Sequence, residues 1–163
     1  VTSYFASAED ARVVIDLTAA YAGTGTNRVR RGVALQDGRS RVLIQDEISQ
    51  RGDVDIVWAM HTQADVQFDY ASGARVATLT RGNAVMEARI ISPADAWFAI
   101  EVVAAPSPQK RIDGVRKLTV QIPQAPSDTR IAVLLTPLNE ITIPLAIPEL
   151  LPLDYWGLAA GVD

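Results

Sequence analysis

The stretch VRRGVALQDGRSRVLIQDEI, residues 29–48, decides the fold of this chain. Two runs rich in β-branched residues flank the pair Asp37-Gly38. Such a pair between apolar runs is typical of a two-residue hairpin turn, because glycine accepts the positive φ that a type I′ turn requires. A turn of this kind places Val33 opposite Val42. The stretch is therefore predicted to be an antiparallel β-hairpin.

Side chains alternate across a strand, so the hairpin has two faces of different character. One face is apolar and holds Val29, Val33, Leu35, Val42 and Ile44. The other face is polar and holds Arg30, Arg39 and Arg41 with Gln36 and Gln45. Antiparallel sheets commonly pack one face on the core and leave the other in water. We therefore expect the apolar face to be buried and the arginine face to be wet.

Similar runs of β-branched and aromatic residues recur about every 8 to 14 positions on both sides of this hairpin. They predict strands at Arg12–Leu17, Arg28–Gln36, Ser40–Ile48, Asp55–Thr62, Val66–Ala71, Ala74–Arg81, Ala84–Ile91, Trp97–Val103, Lys117–Ile122 and Arg130–Thr136. No segment keeps a helical apolar period over three turns. The predicted fold is an all-β, antiparallel two-sheet β-sandwich, with residues 1–163 forming a single domain.

Two further turns, Ser72-Gly73 and Gly82-Asn83, join three of these strands into a meander. Pairing through both turns places one apolar set on a common face: Val66, Phe68, Ala77, Leu79, Met86, Ala88 and Ile90. The tail over residues 137–156 has prolines at 137, 144, 148 and 152. Proline cannot donate to a β-ladder, so the tail is predicted to be an extended wrap or an edge covering.

Composition excludes several classes of protein. The net charge of −4 argues against a nucleic-acid-binding protein, which needs a basic surface. No apolar run approaches the ~18 to 20 residues that span a bilayer, so no membrane partner is expected. The absence of cysteine excludes disulfides and thiolate sites and is compatible with cytoplasm, periplasm or secretion. The first ten residues lack the features of a signal peptide and an initiator methionine, which favours an excised fragment over a processed protein.

Three segments carry motifs in a fixed order. They are VVIDLTAAY (13–21), VRRGVALQDGRSRVLIQDEI (29–48) and VDIVWAMHTQADV (54–66). Their elements are a D-L-T-x-A-Y segment, an arginine-containing strand, a strand ending in D-E, and a W-x-x-H-T strand. In this order and spacing the chain resembles, over roughly residues 11–137, the C-terminal β region of heparinase II/III-like polysaccharide lyases.

The resemblance implies an α/α-toroid domain of the same protein, on which this β-sandwich packs, and a periplasmic or secreted location. Such enzymes cleave uronate-containing glycans, glycosaminoglycans or alginate among them, by β-elimination, commonly with tyrosine and histidine as base and acid. The family's catalytic motif and its H-x-H segment have no counterpart in this sequence. We therefore expect no catalytic residue, cofactor or metal in this chain, and no lyase activity from it alone.

Four residues are candidate substrate contacts: Arg30, Arg39, Arg41 and His61. Three guanidinium groups on one wet face suit a polyuronate or sulfated glycan, since arginine binds carboxylate and sulfate with two prongs. The alternative is a solvated face that protects the sheet and pairs with neighbours such as Gln36. His61 is the only histidine, so no histidine cluster is available to a metal. Its alternative role is structural.

Other polar and aromatic residues have structural interpretations. Arg31 and Asp46 lie on neighbouring strands and are predicted to pair across the sheet. Trp58, Trp97 and Trp156 are predicted to pack in the core or at a domain interface rather than to stack on sugars.

Three functions remain open. The chain is a structural module of a polysaccharide lyase, supporting the toroid and lining one wall of its cleft. Alternatively it is a stand-alone carbohydrate-binding β-sandwich that uses arginine and tryptophan. A free-standing enzyme is the least favoured, because the chain has one histidine, no cysteine and no nucleophile motif.

Overall fold

The computed structural model describes residues 1–103, 114–138 and 146–157. This part of the chain is built of strands and short 3-10 turns. The strands are β1 (Ser3–Ala6), β2 (Ala11–Asp16), β3 (Thr26–Gln36), β4 (Arg41–Gln50), β5 (Val54–Thr62), β6 (Asp65–Asp69), β7 (Val76–Arg81), β8 (Ala84–Ser92), β9 (Trp97–Val102), β10 (Arg116–Ala125) and β11 (Asp128–Pro137). The 3-10 turns are Thr18–Tyr21, Tyr70–Ser72 and Leu153–Tyr155.

The strands form two antiparallel sheets. The large sheet has eight strands in the order β1-β2-β3-β4-β11-β8-β7-β6, and the small sheet has three in the order β5-β10-β9. The prediction of an all-β, two-sheet sandwich is confirmed. Each of the ten predicted strands overlaps an observed one. Strand β1 was not predicted, because its four residues, SYFA, are too few to show alternation.

The central hairpin forms as predicted, but its predicted register is wrong. Val33 lies opposite Ile44, and Leu35 lies opposite Val42. The connection is four residues long, from Asp37 to Ser40, rather than the two of a type I′ turn. The turn is longer by two residues at its C-terminal end, Arg39 and Ser40, and this moves the pairing by two residues. A shift of two leaves every side chain on its predicted face, since the side-chain period of a strand is two.

The meander prediction is confirmed. Val66 lies opposite Leu79, which in turn lies opposite Met86. Phe68 and Ala77 form the neighbouring pair of β6 and β7. Gly82 has a φ of 57°, which the tight β7–β8 turn requires.

The main core lies between the two sheets. The small sheet contributes Trp58, Phe98, Leu118, Val120 and Ile122, and the inner face of the large sheet contributes Ala77, Leu79, Ala88, Ile90, Ile131 and Val133. Val42, Ile44 and Ile48 of β4 pack against this cluster. The apolar face of the central hairpin is thus the inner face of the large sheet, and from β4 onward it is covered by the small sheet.

The opposite face of the large sheet, called here the outer face, is covered by the tail. Leu153 and Trp156 pack on Val14, Ala34, Leu43, Ala132 and Leu134 in a second apolar cluster. The prediction of a wet arginine face is therefore wrong: Arg30 is 7% exposed, Arg41 5% and Gln45 0%. The described part of the tail covers a sheet face rather than an edge. The remainder of the predicted tail, residues 139–145, lies outside the described residues.

Gly32 is the residue of β3 over which the tail sits. A Cβ added there would lie 2.7 Å and 2.9 Å from Trp156 ring carbons, and still closer to the Leu153 side chain. Non-bonded contacts of a Cβ below about 3 Å essentially never occur in real structures, so the tail in this position needs glycine at residue 32. A larger residue must push the tail away from the sheet.

The variant Gly32→Ala is expected to lose about 1–3 kcal/mol of the free energy of unfolding, the usual cost of overpacking. Urea denaturation followed by circular dichroism measures this loss. The matched control is the same substitution in a Leu153→Ala/Trp156→Ala background, where most of the loss should disappear because both clash partners are gone. An equal loss in both backgrounds would show that Gly32 does not act through the tail.

Candidate functional site

The structure separates the four predicted substrate contacts. Arg30 and Arg41 lie on the outer face of the large sheet, under the tail. Arg39 is exposed in the β3–β4 turn, where its guanidinium donates to the carbonyl oxygen of Ser7. His61 is exposed in the small sheet. No common surface holds all four, and their contact with a glycan stays a prediction.

Arg30 instead belongs to a cluster that we call the arginine cluster: Arg28, Arg30, Arg130, Glu47 and Asp154. Arg30 donates to both Asp154 oxygens, at 2.5 Å and 3.2 Å, and to Glu47 Oε2 at 2.7 Å. Arg130 Nη2 lies 3.4 Å from Glu47, and Arg28 Nη2 lies 3.5 Å from Asp154. The cluster joins three strands of the large sheet to the tail.

Strand register explains why Glu47 is the centre of this cluster. Glu47 on β4 lies opposite Arg30 on β3 and opposite Arg130 on β11, so one carboxylate stands between two guanidinium groups. Its Oε1 also accepts the backbone N–H of Leu153 at 2.9 Å and the side-chain amide of Gln45 at 3.3 Å. Glu47 therefore holds both the sheet and the tail.

A second set of contacts holds the start of the described tail. Arg41 Nη1 donates to the carbonyl oxygen of Ala146 at 2.9 Å, and its guanidinium pairs with Asp37 in the turn. Gln45 Nε2 donates to the carbonyl oxygen of Leu151 at 2.9 Å. Both buried side chains thereby satisfy backbone carbonyls of the tail, whose described residues 146–157 pair with no strand. Polar side chains of the outer face thus hold the tail by hydrogen bonds to its backbone.

Charges in the arginine cluster shift pKa values in opposite directions. The hydrogen bond from Arg30 is the main cause that lowers the pKa of Asp154 below its usual value. The same bond is the main cause that raises the pKa of Arg30, while burial acts against it. Each group stabilises the charged form of the other.

Tail docking is expected to weaken in acid through Asp154. Because the pKa of Asp154 is lower in the folded chain, its contribution is present above the unfolded value of about 3.9 and is lost as the pH falls through the folded value. Comparing the unfolding midpoint in urea of the unchanged chain with that of Asp154→Asn between pH 6 and pH 2 measures this. The difference between the two should shrink below about pH 4. A difference that stays constant with pH would contradict the role of Asp154.

The cluster borders a cavity of about 310 Å³, lined also by Asp128 and Pro152. Its lining holds three guanidinium groups and three carboxylates, those of Glu47, Asp128 and Asp154. An incoming carboxylate or sulfate must therefore compete with Asp154 for Arg28 and Arg30. The arrangement is better suited to holding the tail on the sheet than to binding a free anion.

Three members of this site, Arg28, Arg130 and Asp154, were not predicted from the sequence. Arg28 and Arg130 lie at the ends of predicted strands, and their separation in sequence gives no sign that they meet. Asp154 lies in a proline-rich tail whose path no periodicity predicts. Glu47 is the exception. With the correct hairpin register, its position in the sequence places it directly opposite Arg30.

On the inner face, the predicted Arg31–Asp46 pair is confirmed. Arg31 donates from Nε to Asp46 Oδ1 at 2.7 Å and from Nη2 to Oδ2 at 2.6 Å. The two residues are directly opposite rather than diagonal, as the corrected register requires. The Arg31 guanidinium also lies 6.0 Å from the Trp58 ring centroid. Trp58 and Trp156 are buried as predicted, whereas Trp97 is 40% exposed.

Two further properties concern the described residues alone. Among them, no group of three or more histidine, aspartate and glutamate side chains is placed to hold a metal ion. Nor does this part of the chain contain a helix with the length and apolar character needed to cross a membrane.

Comparisons with known proteins give matches by structure only. No protein-family model matches the sequence, and no curated protein matches it. A heparinase III gene product matches 84% of this chain with a TM-score of 0.66 and 10% identity. A crystal structure of heparinase III matches 86% with a TM-score of 0.61 and 14% identity, and a heparan sulfate lyase from Pedobacter heparinus matches 83% with a TM-score of 0.59 and 8% identity.

This chain covers 21% of each of those three chains, so it spans about a fifth of their length. At such low identities the likeness concerns the fold. The resemblance inferred from the sequence motifs is confirmed at that level: the chain has the fold of a β-sandwich region found in heparinase III structures.

Proposed function

We propose that this chain is the non-catalytic C-terminal β-sandwich domain of a heparinase II/III-like polysaccharide lyase. The observation that carries the proposal is the structural likeness, which takes in 84% of this chain but only 21% of a heparinase III chain. The ordered motifs in residues 13–66 support it independently. As part of such an enzyme, the domain supports an α/α-toroid and lines one wall of the substrate cleft.

In this proposal the parent enzyme cleaves uronate-containing glycans by β-elimination, and it is periplasmic or secreted. The groups that abstract and return protons lie in the rest of the polypeptide. The internal geometry of this chain supports a scaffolding role, because the arginine cluster binds the chain's own tail through Asp154 and the N–H of Leu153. Rigid support of this kind keeps a neighbouring catalytic site in its productive geometry.

Activity measurements on two proteins test the proposal. The 163-residue chain and the longer polypeptide encoded by the same gene are incubated with heparin, heparan sulfate, hyaluronan, chondroitin and alginate. Ultraviolet absorbance then follows the unsaturated uronate product. We expect product from the longer polypeptide on at least one glycan and none from the short chain. Turnover by the short chain would overturn the non-catalytic assignment, and a gene without further coding sequence would overturn the proposal as a whole.

A second candidate is a carbohydrate-binding module that acts without the lyase. The cavity beside the arginine cluster favours it, since three arginines line about 310 Å³ at the surface. Pockets of a few hundred Å³ are typical of small-ligand sites. The Asp154 carboxylate would compete with a bound glycan for these arginines, so a substitution that removes its charge tests this candidate.

Calorimetric titration with oligosaccharides of the same glycans distinguishes the two candidates. If the cluster binds glycan, Asp154→Asn should bind more tightly than the unchanged chain, and Arg28→Ala should bind more weakly. Arg39→Ala and His61→Ala test the two exposed contacts predicted from sequence. Absence of heat with every glycan and every variant would exclude the carbohydrate-binding module and leave the scaffolding role.

A further inference from the structure

The two sheets differ in width, and the described residues leave part of the inner face of the large sheet uncovered. Residues of β4, β11, β8, β7 and β6 pack in the core between the sheets. The inner faces of β2 and β3 continue beyond it with Val13, Ile15, Val33 and Leu35, which we call the shelf. These four side chains are only partly buried and belong to neither apolar cluster of the described residues. Tyr4 on β1 continues the same face and is 71% exposed.

One edge of the small sheet lies beside the shelf, and the strand at this edge is β5. Strand β5 is nine residues long and, within the described residues, pairs only with β10. Its Val54 and Val57 are 40% and 51% exposed. An open edge of this length with exposed valines is a template for further strand pairing.

The other three sheet edges are short or covered. β1 has four residues, and β6 has five and is bounded by Asp65 and Asp69. At the β9 edge, the N–H of Phe98 donates to the carbonyl oxygen of Ala74 at 2.9 Å. Short strands, charged ends and covering loops are the usual protections of sheet edges. Among the edges of the described residues, β5 is the longest, and apart from Asp55 next to its start it carries no aspartate, glutamate, lysine or arginine.

We propose that β5 accepts additional β-strands, which extend the small sheet over the shelf. A groove of about 460 Å³ already separates the β5 edge from the 3-10 turn at Thr18–Tyr21, with Arg31 and Ile48 in its lining. A strand in this groove pairs its backbone with β5 and directs alternate side chains onto the large sheet. This inference rests on the proposed function, because it takes those strands from the rest of the polypeptide.

Sheet dimensions set the number of strands. The uncovered part of the large sheet is three strands wide, β1 to β3. At a spacing of about 4.8 Å between strands, two or three added strands cover it. Side chains facing Val13 and Val33 are apolar, and those on the other side continue the exposed surface of Val57, Ala59 and His61. The partner is therefore a hairpin or short meander with one apolar face.

A second copy of this chain does not fit the same place. Two copies joined through their β5 edges in antiparallel fashion are related by a twofold axis perpendicular to the small sheets. Both large sheets then lie on the same side of the joined sheet. The shelf of one copy would occupy the space of the other copy's large sheet. The added strands must therefore belong to a segment that has no second sheet stacked on the side facing the shelf.

The comparisons favour the rest of a longer polypeptide as the source of the added strands. In the matched structures, this chain accounts for 21% of the length, so most of each of those chains lies outside the match. A segment of the same polypeptide also reaches β5 without the entropic cost of association between separate molecules.

Hydrogen exchange measured by mass spectrometry tests the proposal without any substitution. Amides of β5 that do not bond to β10 should exchange at least about 100-fold more slowly in the longer polypeptide than in the 163-residue chain. Amides of the β7–β8 hairpin, which already have partners on both sides, serve as the internal control and should exchange alike in both proteins. Equal exchange of β5 in the two proteins would overturn the inference while leaving the proposed function intact.

Cysteine labelling gives a second measurement, since the chain has no cysteine of its own. In Val13→Cys, the thiol should react with a polar maleimide in the short chain and become protected in the longer polypeptide. Tyr70→Cys is the matched control, because Tyr70 is 79% exposed at the other end of the large sheet and should react equally in both. Equal reactivity of Cys at position 13 in the two proteins would show that nothing covers the shelf. A gene that encodes no longer polypeptide would refute the proposed function and this inference with it.

Discussion

Replacing Trp156 with alanine is expected to lower the free energy of unfolding by about 3–5 kcal/mol, the range for truncating a large buried aromatic residue. Trp156 is 5% exposed and packs with Leu153 on the outer face of the large sheet. Its indole Nε1 donates to the carbonyl oxygen of Leu151 at 3.2 Å, which fixes the turn of the tail. Its removal leaves a cavity over Gly32 and exposes the apolar cluster beneath. Urea denaturation followed by circular dichroism measures the loss.

Tyr155 provides the matched control. It is the preceding aromatic residue of the same tail but is 56% exposed, so Tyr155→Ala should change stability by no more than about 0.5 kcal/mol. A loss for Trp156→Ala as small as the one expected for Tyr155→Ala would mean that the tail contributes little to folding. A large loss for Trp156→Ala alone would show that the outer face depends on its cover.

Replacing Glu47 with alanine is expected to cost about 2–4 kcal/mol, because its partly buried carboxylate accepts from the buried Arg30 guanidinium, from Arg130 and from the N–H of Leu153. Arg30 would keep Asp154 as its acid partner, whereas Arg130 and the N–H of Leu153 would lose an acceptor. The loss should therefore exceed that of an ordinary surface ion pair. Glu47→Gln retains one acceptor oxygen and should cost less than Glu47→Ala.

Glu101 is the control for that measurement. Its oxygen lies 4.0 Å from the Lys117 ammonium on the exposed side of the small sheet. Exposed pairs of this kind contribute about 0–1 kcal/mol, so Glu101→Ala should be nearly neutral. Equal losses at the two positions would contradict the role of Glu47 as the centre of the arginine cluster.

Much of the sandwich was predictable, because the signals that specify strands are local. Alternation of side chains identified ten of the eleven described strands, and the glycine at position 82 specified the β7–β8 register. In the central hairpin the predicted turn was too short by two residues at its C-terminal end. Asp37, Gly38 and Arg39 all have positive φ, and contacts of Arg41 with Asp37 and of Arg39 with Ser7 accompany this wider turn. Those contacts are not visible in a turn motif.

The candidate site was predictable only in part. The sequence placed Arg30, Arg41 and Gln45 on one face, and the structure has them on one face. It did not indicate that this face is buried, because a run of polar residues on a strand looks the same whether water or another part of the chain covers it.

By itself, then, the sequence determined the fold class, the strands and the face on which each side chain lies, since these depend on neighbours within a few residues. The tertiary structure alone decided what covers each face. Arg30 and Glu47 acquire their partners from Leu153 and Asp154, more than 100 residues along the chain. Contacts over such distances depend on the path of the whole polypeptide and leave no periodic pattern in the sequence.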